Sequence, residues 1–207
     1  MDARWQHPFT ALVAGPTGCG KSHFVRQLLH HLHSQDDITF YKVIWCYGEW
    51  QPLYKEVKKE LDIHFHKGIL DEIPMDGKPR LVIIDDLMRE SDARVVDMFT
   101  KGSHHRNMSV IFITQNLFHQ GRGQRDISLN AHYIVVFKNP RDAAQISYLA
   151  RQICPENPKF IQEAYKDATS VPHGYLLLDL KQNTNDAIRF RTQIFDENPV
   201  IYVPKKV

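Results

Sequence analysis

The chain has few cysteines, no long apolar run and almost no net charge, and each absence removes a class of protein. Only Cys19, Cys46 and Cys154 occur in 207 residues. They are odd in number and lack metal-ligand spacing, which predicts a reduced, intracellular compartment rather than a disulfide framework. No apolar stretch approaches the roughly 20 residues needed to span a bilayer, so no membrane role is expected. The segment 1–8 is too short and too polar for a signal peptide. Lys and Arg number 26 against 24 Asp and Glu, a formal net charge of +2. Overall charge therefore does not announce nucleic acid, and any such contact must come from local clusters. Repeats and low-complexity linkers are lacking too. Twelve histidines are present, with His30, His31 and His33 close together and His64 two residues from His66. No Cys pair or H-E-x-x-H pattern accompanies them, so solvated or packing roles are expected.

What remains reads as one globular domain over 1–207, with 43% hydrophobic and 24% charged residues, a core over about 8–170 and a hairpin over about 174–196. Strand-like and helix-like segments alternate, the pattern of an α/β fold with a mostly parallel sheet covered by helices. An apolar run from Phe9 to Ala14 precedes a helix with Phe24, Val25, Leu28, Leu29 and Leu32 at helical spacing. A strand from Tyr41 to Tyr47 follows, then a short helix with Leu53, Val57 and Leu61 on one face. The fully apolar run Leu81 to Ile84, ending in Asp85-Asp86, reads as a buried central strand. Ser91 caps a predicted helix reaching about Lys101. Strands are predicted over Val110 to Thr114 and Tyr133 to Phe137. Asn139-Pro140-Arg141-Asp142 has the composition of a helix start, with Asn139 as cap. A Pro-bounded helix then carries Phe160, Ile161, Ala164 and Tyr165. Tyr175 to Leu180 and Ile188 to Phe195 form a terminal antiparallel hairpin, Ile188, Phe190 and Ile194 alternating with Arg189, Arg191 and Gln193.

Between the first strand and first helix lies Gly15-Pro16-Thr17-Gly18-Cys19-Gly20-Lys21-Ser22, which matches G-x-x-x-x-G-K-[ST], with His23 following. Glycines here let backbone N–H groups turn inward around a phosphate. Lys21 can neutralise β/γ oxygens, and the Ser22 hydroxyl can ligate Mg²⁺. Cys19 fills a variable position. Downstream, Asp85 suits an acid that holds Mg²⁺ from the end of a buried strand, while Asp86 faces another way and could polarise an attacking water. Gln115, ending the neighbouring strand, could donate to the γ-phosphate or orient that water. Arg106 begins the same strand at its far end, out of reach of its own nucleotide but available to a neighbour's, unless it is a solvated turn residue. The loop from Phe118 to Arg125 is basic and glycine-rich. Arg122 and Arg125 could track a phosphate backbone without sequence preference, or the loop could simply be solvated. Arg141 reads as a surface residue, with a second phosphate-facing arginine as the alternative.

Taken together, His7-Pro8-Phe9 through Ser22, Leu81 to Asp86, Ser103 to Asn116 and Phe137 to Asp142 resemble the FtsK-HerA superfamily of DNA-pumping ATPases. Within it, the genome-packaging ATPases of Polinton-type elements and adintoviruses, related to those of poxviruses, are the nearer likeness, over about Pro8 to Phe195. The resemblance implies a P-loop NTPase fold of the additional-strand type, a five-strand core with the Asp85 strand between those of Gln115 and Tyr47. It also implies a trans-acting arginine where Arg106 stands. Many relatives carry Glu at the position of Asp86.

The expected activity is ATP hydrolysis with ATP and Mg²⁺, driving double-stranded DNA, a viral genome, into a capsid. The expected assembly is a homo-oligomeric ring, a pentamer or hexamer, that meets capsid proteins. The expected place is the host nucleus or cytoplasm where virus assembles, with transient association with the virion. A helicase or repair translocase keeps the same chemistry. A small-molecule kinase leaves Gln115 and Arg106 without a task. A nucleotide-dependent switch is disfavoured by the absence of an N-K-x-D segment after the Asp85 strand, which also favours ATP over GTP.

Overall fold

Strands that read as unbroken apolar runs can only be buried on both faces, and that sets the architecture. The computed structural model describes residues 3–34, 39–72, 74, 76–87, 93–118 without 103–106, and 124–205, with backbone alone at 101–102 and 124–126. These residues form a nine-stranded sheet of order β3-β2-β4-β5-β1-β6-β7-β8-β9. The strands are β1 (Thr10–Ala14), β2 (Lys42–Tyr47), β3 (Ile63–Lys67), β4 (Arg80–Asp85), β5 (Met108–Thr114), β6 (Tyr133–Phe137), β7 (Tyr175–Asp179), β8 (Phe190–Thr192) and β9 (Val200–Tyr202). Pairing from β3 through β6 is parallel, and from β6 to β9 antiparallel. Every residue of β1, β4, β5 and β6 is buried.

Alternation along each strand divides the core in two. One layer joins Leu12, Val82 and Phe112 to α3 (Ala93–Asp97, continued by a π-helical turn Met98–Gly102), α4 (Gln124–Leu129), α5 (Ala144–Ile153) and α6 (Pro158–Ala168). The other joins Val13, Ile83 and Ile113 to α1 (Lys21–Ser34) and α2 (Pro52–Glu60). The expected five-strand core is present as β2-β4-β5-β1-β6, with β4 between β5 and β2.

Four local expectations are corrected. β3 lies on the outer edge of β2 where no strand was predicted, because Ile63-His64-Phe65-His66-Lys67 is half polar and has the pattern of an edge rather than of a centre. In α2 the deeply buried side chains are Tyr54 and Val57, and Leu53 and Leu61 are only partly covered. Asn139 does not cap a helix. Its Oδ1 accepts from the Arg141 amide at 3.2 Å, making a turn, and α5 starts later, at Ala144. The terminal hairpin is short and continues into β9, and Arg191 points inward, 2% exposed, against Asp179 at 3.0 Å. A carboxylate across the hairpin overrides the polar-out alternation. Ser91, Arg106 and Arg122 lie outside the described residues, as does the side chain of Arg125.

The turn between α6 and β7 is built around Gly174. A Cβ there would run into the Ala168 carbonyl oxygen and crowd Thr169 Cα at 3.1 Å. Gly174→Ala is therefore expected to destabilise the fold by about 1–3 kcal/mol, read as a lower denaturation midpoint at unchanged slope. An unchanged midpoint would show that this turn relaxes freely.

Candidate functional site

The parallel register brings the C-terminal ends of β1, β4 and β5 together. Ala14 pairs with Thr114, and Asp85 with both Tyr47 and Ile113. Gly15, Asp86 and Gln115 follow directly, at the sheet edge where open α/β folds take their ligands. A cavity of about 1010 Å³ opens there, and Lys21, Ser22, Asp85, Asp86, Gln115 and His173 are among the residues lining it. His23, Thr17, Gly18 and Gly20 line it as well. Of the described site residues expected from sequence, Gly15, Pro16 and Cys19 are not among those lining it. Arg141 is exposed and does not line this cavity.

The loop itself has the shape of a cradle. Gly18 and Gly20 adopt φ of 79° and 108°, values that side-chain-bearing residues avoid. At Gly15 a Cβ would sit 2.7 Å from both Cys19 Sγ and Phe137 Cβ. Cys19, half-buried, has its thiol pushed up by burial, with Lys21 opposing, so it packs as a thiol. Lys21 Nζ donates to the carbonyls of Gly15 at 2.7 Å and Pro16 at 3.0 Å, which holds the ammonium over the loop. The N-terminus of α1, with its free N–H groups, opens into the same space.

The two acids differ in setting. Asp85 is 3% exposed. Burial pushes its carboxyl upward, Asp86 adds to this, and the donors Tyr54 and Trp45 and the charge of Lys21 oppose it. Its Oδ2 accepts from the Tyr54 hydroxyl at 2.8 Å, Trp45 Nε1 at 3.3 Å and Ser22 Oγ at 3.4 Å. Asp86 is exposed, with φ of 54°. At this left-handed residue Gln115 Nε2 donates to the carboxylate, at 3.2 Å to Oδ1 and 3.4 Å to Oδ2. Asp is among the few types that tolerate such a backbone.

Ser22 and Asp85 offer a set of oxygen donors 3.4 Å apart beside a phosphate-sized cradle, which fits Mg²⁺. Among the described residues no group of three or more His, Cys, Asp or Glu side chains could hold a metal ion, and no helix is long and apolar enough to cross a membrane.

Compared by sequence, the chain matches no protein-family model and no curated protein. Compared by structure, it is similar to the genome packaging NTPase B204 from Sulfolobus turreted icosahedral virus 2, solved in complex with ATP-gammaS. The TM-score is 0.51 and the identity 13%, over 96% of this chain and 98% of that one. The chain has the P-loop NTPase fold. Looser likenesses are the ATPase DotB of Legionella pneumophila (TM-score 0.41, 15% identity, 64% of this chain and 41% of that) and PCH-2 of C. elegans (0.39, 13%, 79% and 51%).

Four residues beside the P-loop were not legible in the sequence. Tyr54 and Trp45 reach Asp85 from α2 and β2. Arg26 of α1 ties α2 in place through Glu56 at 3.0 Å and Glu60 at 2.9 Å. His173, itself left-handed at φ 60°, donates from Nδ1 to the Cys19 carbonyl at 3.0 Å and packs on Gly20. The sole signal for it was the His-Gly pair before a strand, which marks a turn but not its partner.

Proposed function

We propose that this P-loop chain hydrolyses ATP and converts the energy into movement of double-stranded DNA, as the ring-forming motor of a genome-packaging machine. The observation that carries the hydrolytic reading is the convergence of Lys21, Ser22, Asp85, Asp86 and Gln115 on one cavity. Support for the packaging task comes from the likeness, over nearly the whole of both chains, to a viral genome packaging NTPase. The sequence resemblance to DNA-pumping ATPases points the same way.

In this reading the loop amides and Lys21 bind the triphosphate, and Lys21 meets the charge that grows on the β/γ oxygens. Mg²⁺, when bound through Ser22 and Asp85, supplies further neutralisation of the phosphates. Asp86 accepts the proton of the attacking water, and Gln115, donating to Asp86, holds that water in line. Arg106 of a neighbouring subunit completes the charge stabilisation in a ring of five or six copies, and Arg122 and Arg125 touch the DNA backbone. Work at a capsid places the motor in the host nucleus or cytoplasm, in transient contact with the virion.

ATPase turnover measured against duplex DNA of increasing length tests the motor. Turnover is expected to rise with long duplex and to vanish in Lys21→Ala with or without DNA. Turnover indifferent to DNA would overturn the motor reading. Stimulation by single strands alone would favour a helicase, and phosphoryl transfer to a small acceptor a kinase.

A further inference from the structure

Asp85 is held through one oxygen. All three of its hydrogen bonds fall on Oδ2, and Oδ1 accepts none from the described residues. The strongest donor, Tyr54, is fully buried, and its ring is fixed among Trp45 at 5.4 Å, Tyr47 at 5.6 Å, Trp50 at 5.5 Å and Phe65 at 5.3 Å between centroids. A ring so enclosed has no second direction for its hydroxyl, and a buried hydroxyl needs a partner.

We infer that Tyr54, helped by the Trp45 indole, is a positioning residue for the divalent cation: it pins Oδ2, the same oxygen that Ser22 meets, so that the carboxylate keeps one orientation beside the loop. The role rests on the assignment of Asp85 to the cation made above. A carboxylate freed to rotate about Cβ–Cγ must be ordered again each time a cation arrives, and partners behind a ligand typically govern metal affinity by roughly 10–100-fold. Tyr54 sits one turn into α2, which Arg26 clamps to α1, the helix that starts at Lys21 and Ser22. Both halves of the cation site are thereby referred to the same scaffold.

Mn²⁺ binding in the presence of a slowly hydrolysed ATP analogue, with free Mn²⁺ counted by its electron paramagnetic resonance signal, tests this. Nucleotide affinity in EDTA is measured beside it with a fluorescent ATP analogue. Tyr54→Phe keeps the ring and is expected to weaken Mn²⁺ binding roughly 10–100-fold, to raise the Mg²⁺ needed for half-maximal turnover by the same factor, and to leave nucleotide affinity in EDTA unchanged. Trp45→Phe, which removes the longer bond, is expected to give a smaller loss of the same kind and serves if Tyr54→Phe does not fold. Wild-type Mn²⁺ affinity in these variants overturns the positioning role, and so does an equal loss of nucleotide affinity in EDTA. If Asp85→Asn binds Mn²⁺ as tightly as the wild type, the cation assignment itself has failed, and the role of Tyr54 falls with it.

Discussion

Asp86→Asn is expected to bind Mg·ATP nearly as the wild type does and to hydrolyse it roughly 10²–10⁴ times more slowly, the usual effect of losing a positioned proton acceptor. The fold should survive the change. Asp86 has φ of 54°, and Asn is as tolerant of that region as Asp. The amide oxygen of Asn can still accept from Gln115 Nε2, which now sits 3.2 Å from Oδ1. Only the capacity to take a proton is lost. Rapid-quench measurement of product beside equilibrium binding of a fluorescent nucleotide separates the two effects. Wild-type hydrolysis would remove Asp86 from the mechanism. Loss of cation affinity in Asp86→Asn but not in Asp85→Asn would exchange the two roles. The left-handed backbone also gives a physical reason for the shorter acid at this position. A longer, non-capping side chain such as Glu has no local hydrogen bond to offset the strain of about 1–2 kcal/mol that left-handed geometry carries.

At the other end of the sheet, Arg191→Ala is expected to lower stability by about 3–5 kcal/mol, since it strands a buried carboxylate. The Asp179 and Arg191 side chains are 4% and 2% exposed and 3.0 Å apart. Asp179 Oδ1 also accepts from Thr184 Oγ1 at 2.8 Å, and Arg191 donates to the Ala3 carbonyl at 2.7 Å, so the arginine ties the N-terminal segment to the hairpin. The pair is not perfectly satisfied, because Arg191 Nε is buried with no partner among the described residues. Replacing both residues, as Asp179→Leu with Arg191→Met, should accordingly cost far less than the single truncation. Chemical denaturation of the two variants decides this, and equal losses would show that the pair acts through packing rather than charge. Asp179 pairs with Tyr133 at the start of β6, whereas Phe137 at its other end packs by the P-loop. Nucleotide affinity of whatever remains folded should therefore be unaltered.

The part of this protein that its sequence determined is the part whose geometry is short-range. Eight consecutive residues from Gly15 to Ser22 make a cradle because backbone torsions, glycine freedom and the start of a helix fix one another locally. A fully apolar β4 can only be central, so Asp85 and Asp86 had to emerge at the same sheet edge as the loop, with Gln115 on the next strand. Tertiary structure decided what reaches that cradle from afar. Tyr54 meets Asp85 across 31 positions, Trp45 across 40, and His173 meets Cys19 across 154. In the sequence Tyr54 and Trp45 look like any core aromatics, and Arg191 like the outward half of an alternating strand. Which of them turns its polar tip toward a partner is set by strand register and helix placement, and a buried donor or charge takes the orientation in which its hydrogen bonds are met.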